Sequence, residues 1–120
     1  MNYLKYTVEQ IGGQYVKSNE TYDVIDNKML NNLVLSQTVL HAGKETSGHV
    51  HPGQEEIYFF VFGHGTMVVA KSKDNIHPTE VLKVRTGDIV LVPDGYFHKV
   101  YNGGDTDLIF NCVFDGKRNH

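Results

Sequence analysis

The chain has 120 residues, enough for one compact core but not two of ordinary size. Its formal charge of -3 and lack of a Lys/Arg cluster exclude an electrostatic footprint for nucleic acid or an anionic membrane, and 40% apolar content with only one cysteine excludes a disordered or disulfide-built chain. Turn signals recur every few residues, from Gly12-Gly13 and Asp26-Asn27 through Gly43, Pro52-Gly53, Gly63, Asp74-Asn75 and Pro93-Asp94-Gly95 to Gly103-Gly104. Between them lie short runs rich in Val, Ile, Phe, Tyr and Leu, which predict strands over 33–41, 57–62, 66–71, 80–84, 88–92, 98–101 and 108–114. No stretch keeps a 3.6-residue apolar period for three turns, so helix is confined to at most a turn near 28–32. The expected fold is therefore all-β, a sandwich or barrel occupying the whole of residues 1–120, with residues 1–32 forming N-terminal strands or loop packed on the barrel or on a dimer partner.

Three further expectations follow from this pattern. The run 57–62 is apolar on both strand faces, so one face looks into the barrel and the other needs an opposing sheet or a second subunit; a homodimer is expected. The N-terminal residues lack the apolar stretch of a signal peptide, and no run approaches the roughly 20 residues of a membrane span. With a single cysteine, Cys112, this places the chain in the cytoplasm, where Cys112 is a buried small hydrophobe inside the run 108–114.

Seven histidines in so short a chain call for an explanation. His49 and His51 are two apart, so on an extended chain both imidazoles leave one face and reach one cation. Glu56 is five beyond His51, an offset that would reverse its face, but the Pro52-Gly53 turn resets the phase. Glu56, Tyr58, Phe60 and Phe62 then share a face, with the carboxylate above an aromatic floor and Glu55 turned to solvent. Residues 92–95 suit a type I turn with Pro93 at its second position, after which His98 opens a strand and can complete a set of three histidines and a carboxylate. Nitrogen and oxygen donors of this kind suit one divalent transition metal (Fe, Mn, Ni, Zn, Co or Cu), and the absence of thiolates argues against a structural zinc cage. His41, His64, His77 and His120 have no partner spacing and are expected at the surface or in loops. Asn102 is expected to serve the turn before Gly103-Gly104. Asn111 either faces the cavity or bonds locally, and of Gln37 and Thr38 alternation lets only one face inward.

The spacings resemble the paired signatures of the cupin superfamily. Gly43, His49, His51, Glu56 and Gly63 match G-x5-H-x-H-x4-E-x6-G over 43–63, and Gly87, Pro93, Gly95, His98 and Asn102 match G-x5-P-x-G-x2-H-x3-N over 87–102. The resemblance implies a double-stranded β-helix, or jelly-roll, barrel with His49, His51, Glu56 and His98 as metal ligands and frequent homodimerisation. Within that superfamily the first signature is similar to sugar and sugar-phosphate isomerases. It implies a metal-dependent enzyme acting on a small polar hydroxy-carbonyl compound, with Tyr58 as the candidate for proton relay or substrate orientation. An Fe(II) dioxygenase and a non-catalytic metal- or sugar-binding module are the alternatives. Lys99 follows His98 and points away from it, and Lys44, Lys71 and Arg85 are not placed inside, so an unphosphorylated sugar, uronate or small acid is expected rather than a phosphorylated compound.

Overall fold

A computed structural model describes residues 4–71 and 79–117, so the Asp74-Asn75 turn, His77 and His120 lie outside the described residues. The described residues form nine strands: β1 (Gln14–Ser18), β2 (Tyr22–Asn27), β3 (Leu33–Leu40), β4 (Glu56–Phe62), β5 (His64–Ala70), β6 (Thr79–Arg85), β7 (Ile89–Val92), β8 (Phe97–Tyr101) and β9 (Leu108–Asp115). They form a six-stranded sheet in the order β1-β2-β3-β9-β4-β7 and a three-stranded sheet in the order β6-β5-β8, with every pairing antiparallel. This is the jelly-roll arrangement, and the seven expected strands correspond to β3–β9.

One expectation about the N-terminal third needs correction, and two strands there fall outside the seven read from the apolar pattern. β1 and β2 are strands that the apolar pattern does not mark: β1 is exposed at all five positions and alternates no apolar residues, because it is the edge of the sheet and is held by β2 alone. Residues 28–32 hold no helical turn, and 30–32 make bends. There the Asn27 side-chain oxygen accepts the Met29 N–H at 3.1 Å, a local bond that competes with the helical one.

The core lies between the sheets. Leu40, Met67, Val100 and Leu108 are fully enclosed, and Tyr58, Phe60 and Phe110 stack beside them with ring centroids 5.3–6.3 Å apart. Gly63 makes the crossing from one sheet to the other. Its φ is 94°, and a Cβ there would sit 2.6 Å from the Asp107 carbonyl oxygen, so only glycine fits.

β4 is buried on its inward residues Glu56, Tyr58 and Phe60, as alternation requires. Phe62 does not continue that face. The register against β9 slips between Phe60 and Phe62, so Phe62 stands opposite Ile109 and is 52% exposed. The outward face of the large sheet is partly covered by the chain's own N-terminal arm. Gln37 and Asn111, paired across β3 and β9, are hydrogen-bonded to each other at 3.0 Å and both donate to the Val8 carbonyl; Gln37 also donates to that of Glu9. Asn111 thus bonds locally, and of Gln37 and Thr38 it is Thr38 that faces the cavity. Beyond the arm, Ile57, Phe62, Ile89 and Leu91 remain exposed on β4 and β7.

Candidate metal centre

Two loops build the site, and backbone pairing holds them in register. The segment approaching His49 runs antiparallel to β8: Asn102 N–H donates to Lys44 O, Thr46 N–H to Val100 O, and His49 and His98 exchange both of their backbone hydrogen bonds at 3.0 Å. Residues that pair this way stand directly opposite and project from the same face, so the two imidazoles are set side by side by main-chain geometry. Gly48 precedes His49 at φ 81°, and a Cβ on it would lie 2.8 Å from the Phe97 ring. This close packing brings the first loop against β8.

His51 follows two residues on. The Gln54 N–H closes a turn onto the His51 carbonyl at 3.1 Å, and the Gly53 N–H donates to Asp94 Oδ1 at 2.7 Å. Asp94 belongs to the turn before β8, so the two loops brace one another. That second turn is closed by the Tyr96 N–H on the Pro93 carbonyl, with Gly95 at φ 76°. Proline is therefore its first residue, one position earlier in the turn than the sequence pattern suggests, because the positive φ demanded at the third position falls to Gly95.

The three histidines converge. Their ring centroids are 5.4–6.3 Å apart, and one ligand nitrogen from each lies within 4.8 Å of the other two. Glu56, 6% exposed, enters from β4 and places Oε1 3.3 Å from Nε2 of His98, itself 3% exposed. His98 Nδ1 lies 3.2 Å from the Tyr96 carbonyl oxygen. A carbonyl can only accept, so Nδ1 carries the proton and, in the neutral ring, the Nε2 lone pair faces a buried carboxylate. Two acceptors at that distance attract only across a positive charge, either a proton or a cation. Ligands about 2.1 Å from one ion and adjacent on its coordination sphere are separated by about 3.0–3.4 Å, so the 3.3 Å gap suits a shared metal. His49, His51 and His98 therefore form the group that could hold a single divalent ion, and Glu56 stands beside His98 without joining that group of mutually close donors.

Tyr58 lies one inward position beyond Glu56 and lines the same cavity, its ring edge-on to His98 with centroids 5.7 Å apart. Glu55 is exposed. Cys112 is buried in β9, also against the cavity wall. Asn102 is taken up by the turn: its amide donates to the Leu40 and Thr106 carbonyls and its oxygen accepts the Gly104 N–H. His41 stands apart from the cluster, between Asp23 and Asp107, and His64 is exposed at the start of β5. Lys99 points away, as its position after His98 requires. It pairs with Glu45 at 2.9 Å, and that hydrogen bond raises its pKa above the ordinary lysine value. Sequence reasoning missed the wall supplied by β1 and β2, where Val16, Lys17, Tyr22 and Val24 line the same cavity as the histidines.

Fold and site together define an all-β double-sheet barrel with a histidine-rich pocket at the sheet interface. The chain belongs to the cupin domain family, whose model matches residues 36–114. Among curated proteins it is 28% identical over 109 residues to the glucose-6-phosphate isomerase of Thermococcus onnurineus, covering 84% of this chain and 56% of that protein. It is 32% identical over 78 residues to an uncharacterized protein of Methanocaldococcus jannaschii, covering 65% of this chain and 56% of that one. The chain thus spans about half the length of these relatives. Among solved structures, the Mn(II)-containing oxalate decarboxylase of Bacillus subtilis superposes with a TM-score of 0.75 at 23% identity, over 93% of this chain and 29% of that one. The protein TT1209 of Thermus thermophilus superposes at 0.69 and 19% identity, over 82% and 86%. These two likenesses concern the fold.

Proposed function

We propose that the chain is a divalent-metal-dependent enzyme acting on a small hydroxy-carbonyl compound, in the manner of a sugar or sugar-phosphate isomerase. In this proposal His49, His51, His98 and Glu56 are the ligands and Tyr58 is the residue that handles or orients a proton. The observation that carries it is the convergence of three imidazoles with a buried carboxylate and a phenol in one solvent-reachable cavity. The extended similarity to glucose-6-phosphate isomerases supports the choice of substrate class. A bound divalent ion would supply Lewis-acid polarisation of a carbonyl oxygen.

The protein's own residues do the rest. The His98–Tyr96 hydrogen bond fixes the ring so that Nε2 faces the site, with the Glu56 carboxyl group beside it. Tyr58 offers a hydroxyl proton to a substrate oxygen beside the reacting carbons. Its ring is clamped between Phe60, Phe110 and His98, which limits its motion. Ser36 and Thr38 on β3 give the cavity wall hydroxyls suited to a polyol.

The test is proton NMR of metal-reconstituted protein with aldoses, ketoses and their 6-phosphates in deuterated water. Interconversion with deuterium entering the exchanged position is expected. Oxygen uptake by the iron-loaded protein without isomerisation would instead indicate the dioxygenase, and ligand binding with no turnover would indicate a binding module. We further propose a homodimer through the exposed apolar residues of β4 and β7.

A further inference from the structure

β1 carries a bulge that changes what the cavity can hold. Tyr15 pairs with Ile25, so in an unbroken antiparallel register Val16 would oppose Val24 and Lys17 would oppose Asp23 on the outward face. The register slips between Tyr15 and Lys17, and it is Lys17 that stands opposite Val24. Directly opposed residues share a face, and Val24 lines the cavity; so do both Val16 and Lys17, although they are consecutive. One extra residue in an edge strand thus turns an exposed lysine toward the mouth of the cavity.

That lysine has a distinct electrostatic position. Its Nζ lies 5.8 Å from the centroid of the Tyr22 ring, a contact that steadies an ammonium without neutralising it. No carboxylate among the described residues makes an ion pair with it, whereas Lys99 is paired with Glu45. Among the described residues lining the cavity, Lys17 is the only lysine or arginine, and it sits on β1, across the sheet from the strands that carry Glu56 and Tyr58. A cation without a carboxylate ion pair, lining the same pocket as an acid-and-imidazole cluster, favours a ligand that carries an anionic group apart from its reacting end.

We infer that Lys17 binds the anionic substituent, a phosphate or a carboxylate, of the compound whose reacting end meets the histidines. The inference rests on the proposed function for the reacting end alone. It also reverses the expectation of an unphosphorylated substrate, because Lys17, although exposed, lines the cavity.

The test titrates the metal-loaded full chain with inorganic phosphate and, separately, with acetate, following backbone amide shifts of Val16, Lys17, Val24 and Thr38. Lys17→Met and Lys17→Arg are compared with wild type. At least a tenfold loss of affinity for one of the two anions in Lys17→Met, with recovery in Lys17→Arg and unchanged metal content, upholds the inference; the anion affected tells phosphate from carboxylate. Equal affinity in wild type and Lys17→Met, or no saturable shift at these amides with either anion, overturns it. Anion binding that depends on Lys17, in a protein that turns over no hydroxy-carbonyl compound, upholds the anion site and defeats the isomerase proposal.

Discussion

His98 is the residue on which the candidate centre turns. One nitrogen is committed to the Tyr96 carbonyl and the other faces Glu56, so its orientation is fixed from both sides before any ligand arrives. Replacing His49 or Glu56 with alanine is expected to lower metal affinity at least tenfold, read by elemental analysis after dialysis against limiting metal; unchanged content would remove that residue from the ligand set. Tyr58→Phe separates chemistry from binding. It should retain the metal and lose about 100-fold in kcat, while an unchanged kcat would leave Tyr58 as a core aromatic. At this scale the sequence is informative wherever spacing is local. His-x-His chelation follows from strand period alone, and the return of Glu56 to that face follows from Pro52-Gly53. Lys17 is illegible because a bulge decides its face, and a bulge in a strand without apolar alternation leaves no periodic trace.

The elements that position these side chains depend on a few backbone devices. Gly48 allows the first loop to lie on Phe97 and pair with β8. Gly48→Ala adds a Cβ within 2.8 Å of that ring at a left-handed φ, and should cost about 1–3 kcal/mol in urea unfolding. Metal affinity should fall with it, because His49 is the next residue. Asn102, 2% exposed, ties β8 to the end of β3 and to the turn before β9 through three hydrogen bonds. Asn102→Ala leaves buried carbonyls without a donor, and should lower stability by about 2–4 kcal/mol with the m-value unchanged. The strands β3–β9 are readable because each buries at least one apolar face between turn residues. β1 is not, since an edge strand held by one neighbour and exposed along its length carries no such pattern, and β2, YDVIDN, is only part-buried and breaks its apolar residues with Asp and Asn. The consequence is functional, because those two strands wall the cavity.

For the molecule as a whole, the two-faced apolar character of β4 has two explanations in different places. Where Gln37 and Asn111 grip the Val8 carbonyl, the N-terminal arm lies on the outer face. Where the arm ends, Ile57, Ile89 and Leu91 stand exposed in neighbouring positions of β4 and β7. The proposed dimer requires that light scattering give twice the chain mass, and that Leu91→Lys reduce it to the monomer with the fold intact; a monomeric wild type would defeat it. No described helix is long and apolar enough to cross a membrane. In the proposed centre one divalent ion is held by His49, His51 and His98, with Glu56 as the fourth ligand. Anomalous scattering from crystals of protein purified without an affinity tag and reconstituted with metal tests it most directly. One peak per chain among those four side chains, abolished in His98→Ala, is the predicted result; no peak there after reconstitution, or a peak that persists in His98→Ala, would contradict it.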